Sequence, residues 1–440
     1  MPVRTSRLAN FIAFQRNPLQ FMLSLLYEGD VVALRTGLKT PSFVVNSPDF
    51  INEILVTKEH LFKKGRTSEI LRRTVGDGLL TAEKNNHRNQ RRYMQPSFYK
   101  ERIQEYARIV REETIRVLAK WQDGQQLLIH DEMMQLTLSI ITRTMFATDV
   151  EETKAKLAAA VNVTMEQTAR TLFSPIVLPL SFPLPGHRKH QQANRTLEEM
   201  IFNTIDQAKL NPEKYALTML GMLLDTKDEQ GHPLSDHEIR DQMMTMLLAG
   251  HETTANLLTW VWVMLAQHRE ITNLFHQEID LVDWEQKSAF EIYRGLEYTQ
   301  RIVQESLRLY PPAWIILREA NEAIELLGER FPRGSIFMIS PYAIHRNQHV
   351  FEQPLQFRPE RFADGSSSRW AKFAYFPFGG GSRSCIGSQF AMMESLIMMS
   401  TIGQRCEFEW VEPRPLEGEP LVSLRLKGGA KMRVNMRTQA

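Results

Sequence analysis

The segment from Phe378 to Gly387, which reads FGGGSRSCIG, constrains the fold and chemistry of this chain more than any other feature. Four glycines in ten residues permit backbone turns that residues with a β-carbon resist. Cys385 lies immediately before a predicted last helix that begins near Gly387. Unpaired N–H groups and the positive end of the helix dipole favour a thiolate at such a position. The segment therefore predicts an anionic sulfur, with Arg383 nearby as a partner for a carboxylate.

Helical periodicity runs through most of the chain, with short strand-like runs near both ends. Asn17-Pro18 is typical of a helix start, because Asn caps the helix and Pro suits its first position. The residues 31–35 and 42–45, separated by Gly37 and Pro41, predict a β-hairpin. The stretch from about 91 to 222 is mainly amphipathic helix. The predicted fold is therefore mainly α with a small β component.

A long apolar helix is predicted from about Ser235 to Gln267, and further helix to about Leu309, where Pro311-Pro312 ends it. Between Ser174 and Gly186 four prolines prevent a continuous helix. They are Pro175, Pro179, Pro183 and Pro185. A lid, a surface that touches a membrane and a packed connector all fit this segment.

Composition excludes several classes of protein. The formal net charge is only +2, so no strong overall field attracts nucleic acid. No window approaches about 18 uninterrupted apolar residues, so no transmembrane anchor is expected. Two cysteines, Cys385 and Cys406, make no disulfide framework, which favours a reducing, cytoplasmic compartment. No linker or repeat divides the chain, so residues 1–440 are expected to form a single domain.

FGGGSRSCIG resembles the haem-binding signature of the cytochrome P450 superfamily. An isolated cysteine would more often be a buried structural residue, but here five residues fall at signature positions. They are Phe378, Gly381, Arg383, Cys385 and Gly387. The resemblance implies that Cys385 is the axial iron ligand of haem b (iron protoporphyrin IX), that the phenylalanine shields the sulfur and that the glycines shape the loop. It also implies the family's fold, with the haem buried between the long distal helix and the proximal cysteine loop.

Within the long apolar helix, residues 249–254 read AGHETT. Gly250 costs about 1 kcal/mol of helix propensity, which suggests that something approaches the backbone there. Glu252 can relay protons, and the Thr253 hydroxyl can bind an oxygen ligand or a freed carbonyl. A zinc motif HExxH is excluded because Ala255 occupies the second histidine position. AGHETT also resembles the family's distal-helix motif, in which Glu252 and Thr253 would form the acid–alcohol pair that supplies protons for oxygen activation.

Glu305 and Arg308 are three residues apart in a helical pattern and can form an ion pair. An exposed pair of this kind contributes little to stability. Residues 357–362 read FRPERF, however, and this resembles the family segment whose arginine completes a buried Glu-Arg-Arg network. Arg361 is the matching residue. The resemblance implies that the three residues hold the cysteine loop in place and take no part in the chemistry.

Three further residues resemble the family's contacts to the haem propionates. Arg91 matches a propionate-binding arginine, while His87 stands where the family has a tryptophan. A histidine can still donate a hydrogen bond or carry charge, so the role can survive this departure. Arg318, in the segment LREA, matches another propionate ligand; its other interpretation is a surface charge. Arg383 completes the predicted set.

Four basic residues crowd the region of His87, and such a run is usually only a solvated face. They are Arg88, Arg92, Lys100 and Arg102. In the family, the corresponding helix borders the proximal surface on which acidic electron-transfer proteins dock. We therefore predict a docking patch whose effect depends on salt. No flavin or dinucleotide motif occurs, which implies a separate ferredoxin or flavodoxin with an NAD(P)H reductase.

The resemblance implies a monooxygenase that uses dioxygen to hydroxylate or epoxidise a small apolar substrate. Apolar stretches at 70–80, 172–184 and 313–317 are expected to line its pocket. Two alternatives remain open at this point. One is a haem-thiolate isomerase, dehydratase or peroxide-dependent enzyme, against which the intact acid–alcohol pair argues. The other is a haem-binding sensor without turnover.

Overall fold

The computed structural model describes residues 3–4, 6–34, 41–147, 154–174, 177–180, 182, 184–363 and 370–437. Its contacts group into two compact units. The first unit comprises Met1–Glu69, Gln304–Cys385 and Gly418–Arg425. The second comprises Ile70–Val303, Ile386–Glu417 and Leu426–Ala440. The expectation of a single domain over residues 1–440 stays a prediction.

Helices form most of the described structure, as predicted. The helices are α1 (Arg7–Arg16), α2 (Pro18–Leu25), α3 (Pro48–Asn52), α4 (Arg66–Val75), α5 (Lys84–Met94), α6 (Lys100–Leu118), α7 (Ile129–Phe146), α8 (Lys154–Phe173), α9 (Pro185–Leu210), α10 (Pro212–Tyr215), α11 (Met219–Asp225), α12 (Asp236–Gln267), α13 (Arg269–Ile279), α14 (Ala289–Gly295), α15 (Glu297–Leu309), α16 (Pro341–Ile344) and α17 (Ser388–Gly403).

The strands are short. They are β1 (Val3–Arg4), β2 (Val31–Leu34), β3 (Ser42–Val45), β4 (Phe62–Lys63), β5 (Gln126–Leu128), β6 (Ile316–Ala320), β7 (Ile324–Leu326), β8 (Glu329–Phe331), β9 (Ile336–Ile339), β10 (Cys406–Trp410), β11 (Gly418–Pro420), β12 (Leu424–Leu426) and β13 (Lys431–Met436).

Local capping explains where the predicted helices begin. The Asn17 side chain accepts a hydrogen bond from the Gln20 N–H at 3.0 Å, and Pro18 occupies the first position of α2, as predicted. Ser235 and Glu238 form a capping box at the start of α12. The predicted long helix is confirmed with nearly the expected bounds, since α12 ends at Gln267.

A six-stranded sheet in the order β1-β2-β3-β9-β6-β4 forms the centre of the first unit. The predicted hairpin is confirmed, because β2 and β3 pair antiparallel; residues 35–40, with Gly37, lie outside the described part of the chain. Strand β3 also pairs in parallel with β9. Phe43 packs edge-on against Phe331, with 4.9 Å between ring centroids, and stacks on Phe337. These rings anchor the core behind the sheet.

The second unit consists mainly of packed helices. Helix α12 packs along α7, and α17 packs along α6. Strands β10, β13 and β5 form a three-stranded sheet at one side of this unit, where Trp262 of α12 contacts Phe408. Strand β5 lies inside the stretch that was predicted to be mainly helical. Its three residues are extended because they pair with β13, which lies far away in the sequence.

The proline-rich segment interrupts the helical pattern as predicted, since α8 ends at Phe173 and α9 begins at Pro185. Pro175 and Pro183 lie outside the described residues. Among the helices that the structure describes, none is both long and apolar enough to cross a bilayer.

Candidate active site

The cysteine loop occupies the end of the first unit and leads into α17. The Cys385 N–H donates to the Phe378 carbonyl oxygen at 2.9 Å, which closes the loop on itself. Residues Gly381–Arg383 form one turn of 3₁₀ helix, and Gly387 is the N-cap of α17. The Cys385 side chain is exposed. The loop therefore presents a sulfur close to a helix N-terminus, as predicted.

One glycine of the loop is required by close packing. Gly381 has a φ of +69°, and a β-carbon there would lie 1.8 Å from the carbonyl oxygen of Leu55. The next residue, Ser382, donates its N–H to Glu59 Oε2 at 3.1 Å, and its hydroxyl also contacts this carboxylate. The chain around Leu55 thus positions the loop from more than 300 residues away in sequence. Sequence reasoning missed Glu59, because no local pattern connects it with the loop.

The two thiols of the chain have opposite environments. Cys406 is buried in β10 and contacts the Ile402 carbonyl oxygen at 3.6 Å, and burial raises the pKa of its thiol to about 12. Such a thiol is inert at neutral pH. Cys385 is exposed. Accessibility therefore selects Cys385 as the sulfur that can bind a metal.

The predicted pairing of Glu305, Arg308 and Arg361 is present in the first unit. Arg308 Nε lies 2.7 Å from Glu305 Oε2, and Arg361 Nε lies 3.0 Å from Glu305 Oε1. The side chains of Glu305 and Arg308 are fully buried. Glu305 Oε1 also accepts the Arg358 N–H at 2.9 Å. The carboxylate is thus well satisfied, as a buried charge must be.

A chain of contacts connects this network with the segment before the cysteine loop. Arg308 donates to the His345 carbonyl oxygen at 2.8 Å, and the ring nitrogen Nε2 of His345 accepts the Phe376 N–H at 3.0 Å. Burial and the neighbouring arginines lower the pKa of His345 to about 3, which keeps the ring neutral and able to accept. The Phe376 carbonyl oxygen accepts the Gly379 N–H. The role of the three-residue network in holding the loop stays a prediction, and this route supports it.

In the second unit, α12 carries the AGHETT segment. The Thr253 hydroxyl donates to the Ala249 carbonyl oxygen at 2.8 Å. Of the two partners expected from the sequence, it therefore binds the helix carbonyl here. Glu252 is buried, with 1% of its surface exposed. A β-carbon on Gly250 would lie 3.1 Å from Ile141 Cδ1, so a side chain of α7 is what approaches the backbone here. A haem contact at Gly250 stays a prediction.

Glu394 of α17 was missed by sequence reasoning. Its side chain is buried and hydrogen-bonds to Thr254, which follows the acid–alcohol pair on α12. Thr254 in turn donates to the Gly250 carbonyl oxygen at 3.2 Å. Burial raises the pKa of Glu394 to about 8. A lone carboxylate inside the apolar run AMMESLIMM was the available signal.

The predicted propionate ligands are distributed over both units. His87 and Arg91 are one turn apart on α5; His87 is buried and Arg91 half-buried. Arg318 on β6 is buried and donates from Nη1 to the Leu317 carbonyl oxygen at 2.9 Å, which removes the surface-charge interpretation. Arg383 is half-buried within the 3₁₀ turn of the cysteine loop.

The predicted docking patch is basic and largely accessible. Arg88, Arg92 and Lys100 are exposed, while Arg102 is half-buried. Arg92 lies 3.5 Å from Glu229, with both side chains about half exposed. Such an exposed ion pair interacts only weakly in water, so the patch keeps most of its positive charge.

The family model for cytochrome P450 matches residues 6–432. The chain belongs to the cytochrome P450 family. Cyclooctatin synthase from Streptomyces melanosporofaciens is 34% identical over 411 residues, which cover 93% of this chain and 89% of that protein. Pentalenene oxygenase from Streptomyces avermitilis is 33% identical, over 88% of this chain and 86% of that protein. The heme domain of cytochrome P450DA superposes with a TM-score of 0.89 at 23% identity, covering 100% of this chain and 98% of that one, which shows the fold.

This cytochrome P450 is therefore an oxidoreductase of the monooxygenase type with the predicted fold. Its residues fit the haem-thiolate cofactor that the family implies. An exposed sulfur at a helix start suits ligation of iron, whereas the other thiol of the chain is inert. Arg91, Arg318 and Arg383 carry the forked donors that suit carboxylates such as propionates, and their binding to the haem stays a prediction.

Proposed function

We propose that this cytochrome P450 inserts one atom of dioxygen into a C–H or C=C bond of a small, apolar, terpenoid-like substrate. Electrons come from a separate redox partner. The observation that carries the proposal is the exposed Cys385 in a glycine loop directly before α17. The Glu252-Thr253 pair on the buried helix α12 supports oxygen activation and argues against a role as a sensor.

The names of relatives support the substrate class. They include pentalenene oxygenase and, at 31% identity, cyclooctat-9-en-7-ol 5-monooxygenase. Both names denote unsaturated molecules, the first without an oxygen and the second with a hydroxyl. The apolar stretches predicted to line the pocket suit such molecules.

Haem b is the proposed cofactor, and when bound it supplies the redox iron on which dioxygen is reductively activated. Cys385 would bind the iron through its thiolate, which the dipole of α17 would help to keep ionised. Phe378 would shield the sulfur, and Gly381 and Gly387 would shape the loop around it. Arg91, Arg318 and Arg383 would hold the propionates, with His87 as a further donor.

Protons are handled by the acid–alcohol pair. The Thr253 hydroxyl holds its proton in the bond to the Ala249 carbonyl oxygen, and rotation about its side-chain bond frees this proton for transfer. A proton supplied by solvent and relayed through the Glu252 carboxylate, on the same helix, would replace the proton that Thr253 gives up. The buried surroundings of Glu252 keep bulk water from competing for this transfer.

A ferredoxin or flavodoxin reduced by an NAD(P)H-dependent reductase is the proposed electron donor. It would dock on the basic patch of Arg88, Arg92, Lys100 and Arg102. A cytoplasmic location follows from this partner requirement and from the lack of a disulfide framework in a chain with two cysteines.

Replacement of the ligand sulfur tests the proposal directly. We expect Cys385→Ser to abolish the thiolate-type absorption band of the reduced carbon monoxide adduct and the substrate-dependent consumption of NAD(P)H. Cys406→Ser is the matched control and should keep both, because that thiol is buried and inert. If the wild-type protein takes up no haem, or shows histidine-type ligation under carbon monoxide, the proposal is wrong.

A further inference from the structure

Helix α1 of the first unit presents a stripe of apolar side chains to solvent. Leu8, Phe11 and Ile12 are 69%, 39% and 52% exposed. Their spacing of three and four residues places them next to one another on one face of the helix. Single exposed apolar residues are ordinary on a protein surface, whereas adjoining ones mark a surface that binds a partner. Neither the sequence motifs nor the proposed chemistry uses this apolar stripe.

The opposite face of α1 attaches the helix to the first unit. Phe14 is half-buried and packs edge-on against Phe21 of α2, with 5.8 Å between ring centroids. Asn10 is buried on the same side of the helix. Asn17, at the end of α1, caps the start of α2. A folded and anchored helix therefore holds the apolar stripe away from the core.

The sequence around the apolar stripe is positively charged. Helix α1 begins at Arg7 and ends at Arg16, which is exposed. Asp and Glu make up 51 of the 440 residues, yet the first of them is Glu28. Residues 1–27 thus contain three arginines and no carboxylate. An apolar stripe in a basic segment complements a surface that is both apolar and anionic, which is the character of a bilayer with acidic phospholipids.

The size of the apolar stripe favours a bilayer over a protein as its partner. Three side chains on one helix expose on the order of a few hundred Å², whereas a stable protein interface buries about 800 Å² on each partner. A bilayer needs no matching surface, because an interfacial helix lies in the plane of the headgroups with its apolar side chains inserted by about 5–10 Å.

We propose that α1 binds the surface of membranes that contain anionic lipids, with Leu8, Phe11 and Ile12 inserted and Arg16 beside the headgroups. The attachment is peripheral, so it needs no membrane-spanning helix. Since one short helix inserts, the attachment is reversible and weakens with salt. The inference does not rest on the proposed function, because α1 binds lipid whatever reaction the enzyme catalyses.

Co-sedimentation of the full haem-loaded chain with lipid vesicles tests the proposal. One set of vesicles is pure phosphatidylcholine, and the other contains about 30% phosphatidylglycerol, which is anionic. We expect the wild type to bind the anionic vesicles more tightly by about tenfold or more at low salt, and to lose most of this preference at about 0.5 M salt.

Two variants separate the apolar and the charged contributions. Leu8→Ser, Phe11→Ser and Ile12→Ser together should weaken binding to the anionic vesicles by about tenfold or more, because the inserted side chains are lost. Arg16→Gln should weaken it by about fivefold, the contribution of one arginine near an anionic surface, and leave binding to neutral vesicles unchanged.

The matched control combines Leu210→Ser, Leu217→Ser and Leu281→Ser in the second unit. These residues are all more than half exposed but belong to different elements, so this variant should bind like the wild type. Melting temperature and the carbon monoxide spectrum verify the folding of each variant. The inference is wrong if the wild type binds neither kind of vesicle, binds both equally, or binds as tightly after the triple substitution in α1. Sedimentation equilibrium without lipid tests for a second copy of the chain: a wild-type dimer that this triple substitution dissociates would also overturn the inference.

Discussion

At the scale of single residues, Glu305 shows that a buried carboxylate requires a full set of hydrogen-bonding partners. Its carboxylate accepts hydrogen bonds from Arg308, Arg361 and the Arg358 N–H, and no part of its side chain is exposed. The desolvation cost of such an ion pair is offset only while every partner is in place. The network therefore fixes geometry more than it adds stability. Through His345 it reaches the segment that leads into the cysteine loop.

We expect Glu305→Gln to lower the free energy of unfolding by about 3 kcal/mol or more, because it leaves the buried Arg308 cation without its counter-ion. The haem content per protein should fall as well, since the support of the cysteine loop is lost. Urea unfolding and haem quantification measure the two effects. The matched control is Glu325→Gln, which breaks the exposed pair with Arg330 at 3.2 Å and should change stability by less than about 0.5 kcal/mol. Equal effects of the two substitutions would contradict the structural role.

Single residues differ in how far the sequence reveals them. Cys385, Glu252 and Thr253 stand in short motifs whose chemistry requires neighbouring residue types, so local sequence sufficed to nominate them. Glu59 acts through a residue that is distant in sequence. Nothing local to it differs from an ordinary surface glutamate, and only the folded chain shows its partner.

At the scale of elements, Glu394 connects the helix that follows the cysteine loop with the helix that carries the acid–alcohol pair. The Glu394 carboxyl on α17 bonds to Thr254 on α12, and Thr254 bonds to the Gly250 carbonyl oxygen. Burial raises the pKa of Glu394 to about 8, although the bond to Thr254 favours the ionised form. The side chain thus ties the two helices as a neutral acid at pH 7.

This tie predicts a specific dependence of stability on pH. The folded pKa of Glu394 is about 8 and its ordinary value is 4.5, so between these values the folded chain binds a proton that the unfolded chain has released. The contribution to stability is therefore complete below pH 4.5 and falls as pH rises towards 8, by up to about 1.4 kcal/mol per pH unit. Glu394→Gln stays neutral and should remove this slope.

Guanidinium unfolding of both proteins at pH 5.5, 6.5 and 7.5 would measure the difference in slope. The free energy of unfolding of Glu394→Gln should increase relative to that of the wild type as pH rises. Parallel curves for the two proteins would show that Glu394 is ionised in the folded state. Glu291→Gln is a suitable control, because Glu291 is a solvated capping residue of α14 whose pKa is lowered from 4.5 by its bonds to Ser288. It is ionised in both states between pH 5.5 and 7.5, so this substitution should leave the slope unchanged.

The start of a helix was predictable where a capping residue sets it. The bounds of a strand were not predictable where pairing with a distant strand sets them. Asn17 and Ser235 begin helices by bonding to nearby N–H groups, and the sequence contains all of that information. Strand β5 has only three residues, and its extended form comes from pairing with β13. Its surroundings are helical, so periodicity alone assigned it to a helix.

At the scale of the whole molecule, the sheet of the first unit shows the limit of pattern reasoning. The β2–β3 hairpin follows from local turn residues, but the parallel pairing of β3 with β9 joins Val44 to Met338 across most of the chain. All four residues of β3 are buried, so the strand is covered on both faces. Such burial is compatible with its parallel pairing to β9 in this register. The family resemblance implied the fold class, whereas the register came only from the structure.

Charge at this scale would govern the encounter with the proposed electron donor. A net charge of +2 gives no strong long-range field, so steering would depend on the exposed basic patch around α5. Replacing Arg88 and Lys100 together with glutamine should slow reduction by an acidic ferredoxin at low salt by about tenfold and flatten the dependence of the rate on ionic strength. Stopped-flow reduction under carbon monoxide measures both quantities. Arg330→Gln with Lys431→Gln removes the same net charge from sites elsewhere on the chain and should leave the rate nearly unchanged. If both double variants slow reduction equally, the total charge and not the patch steers the partner.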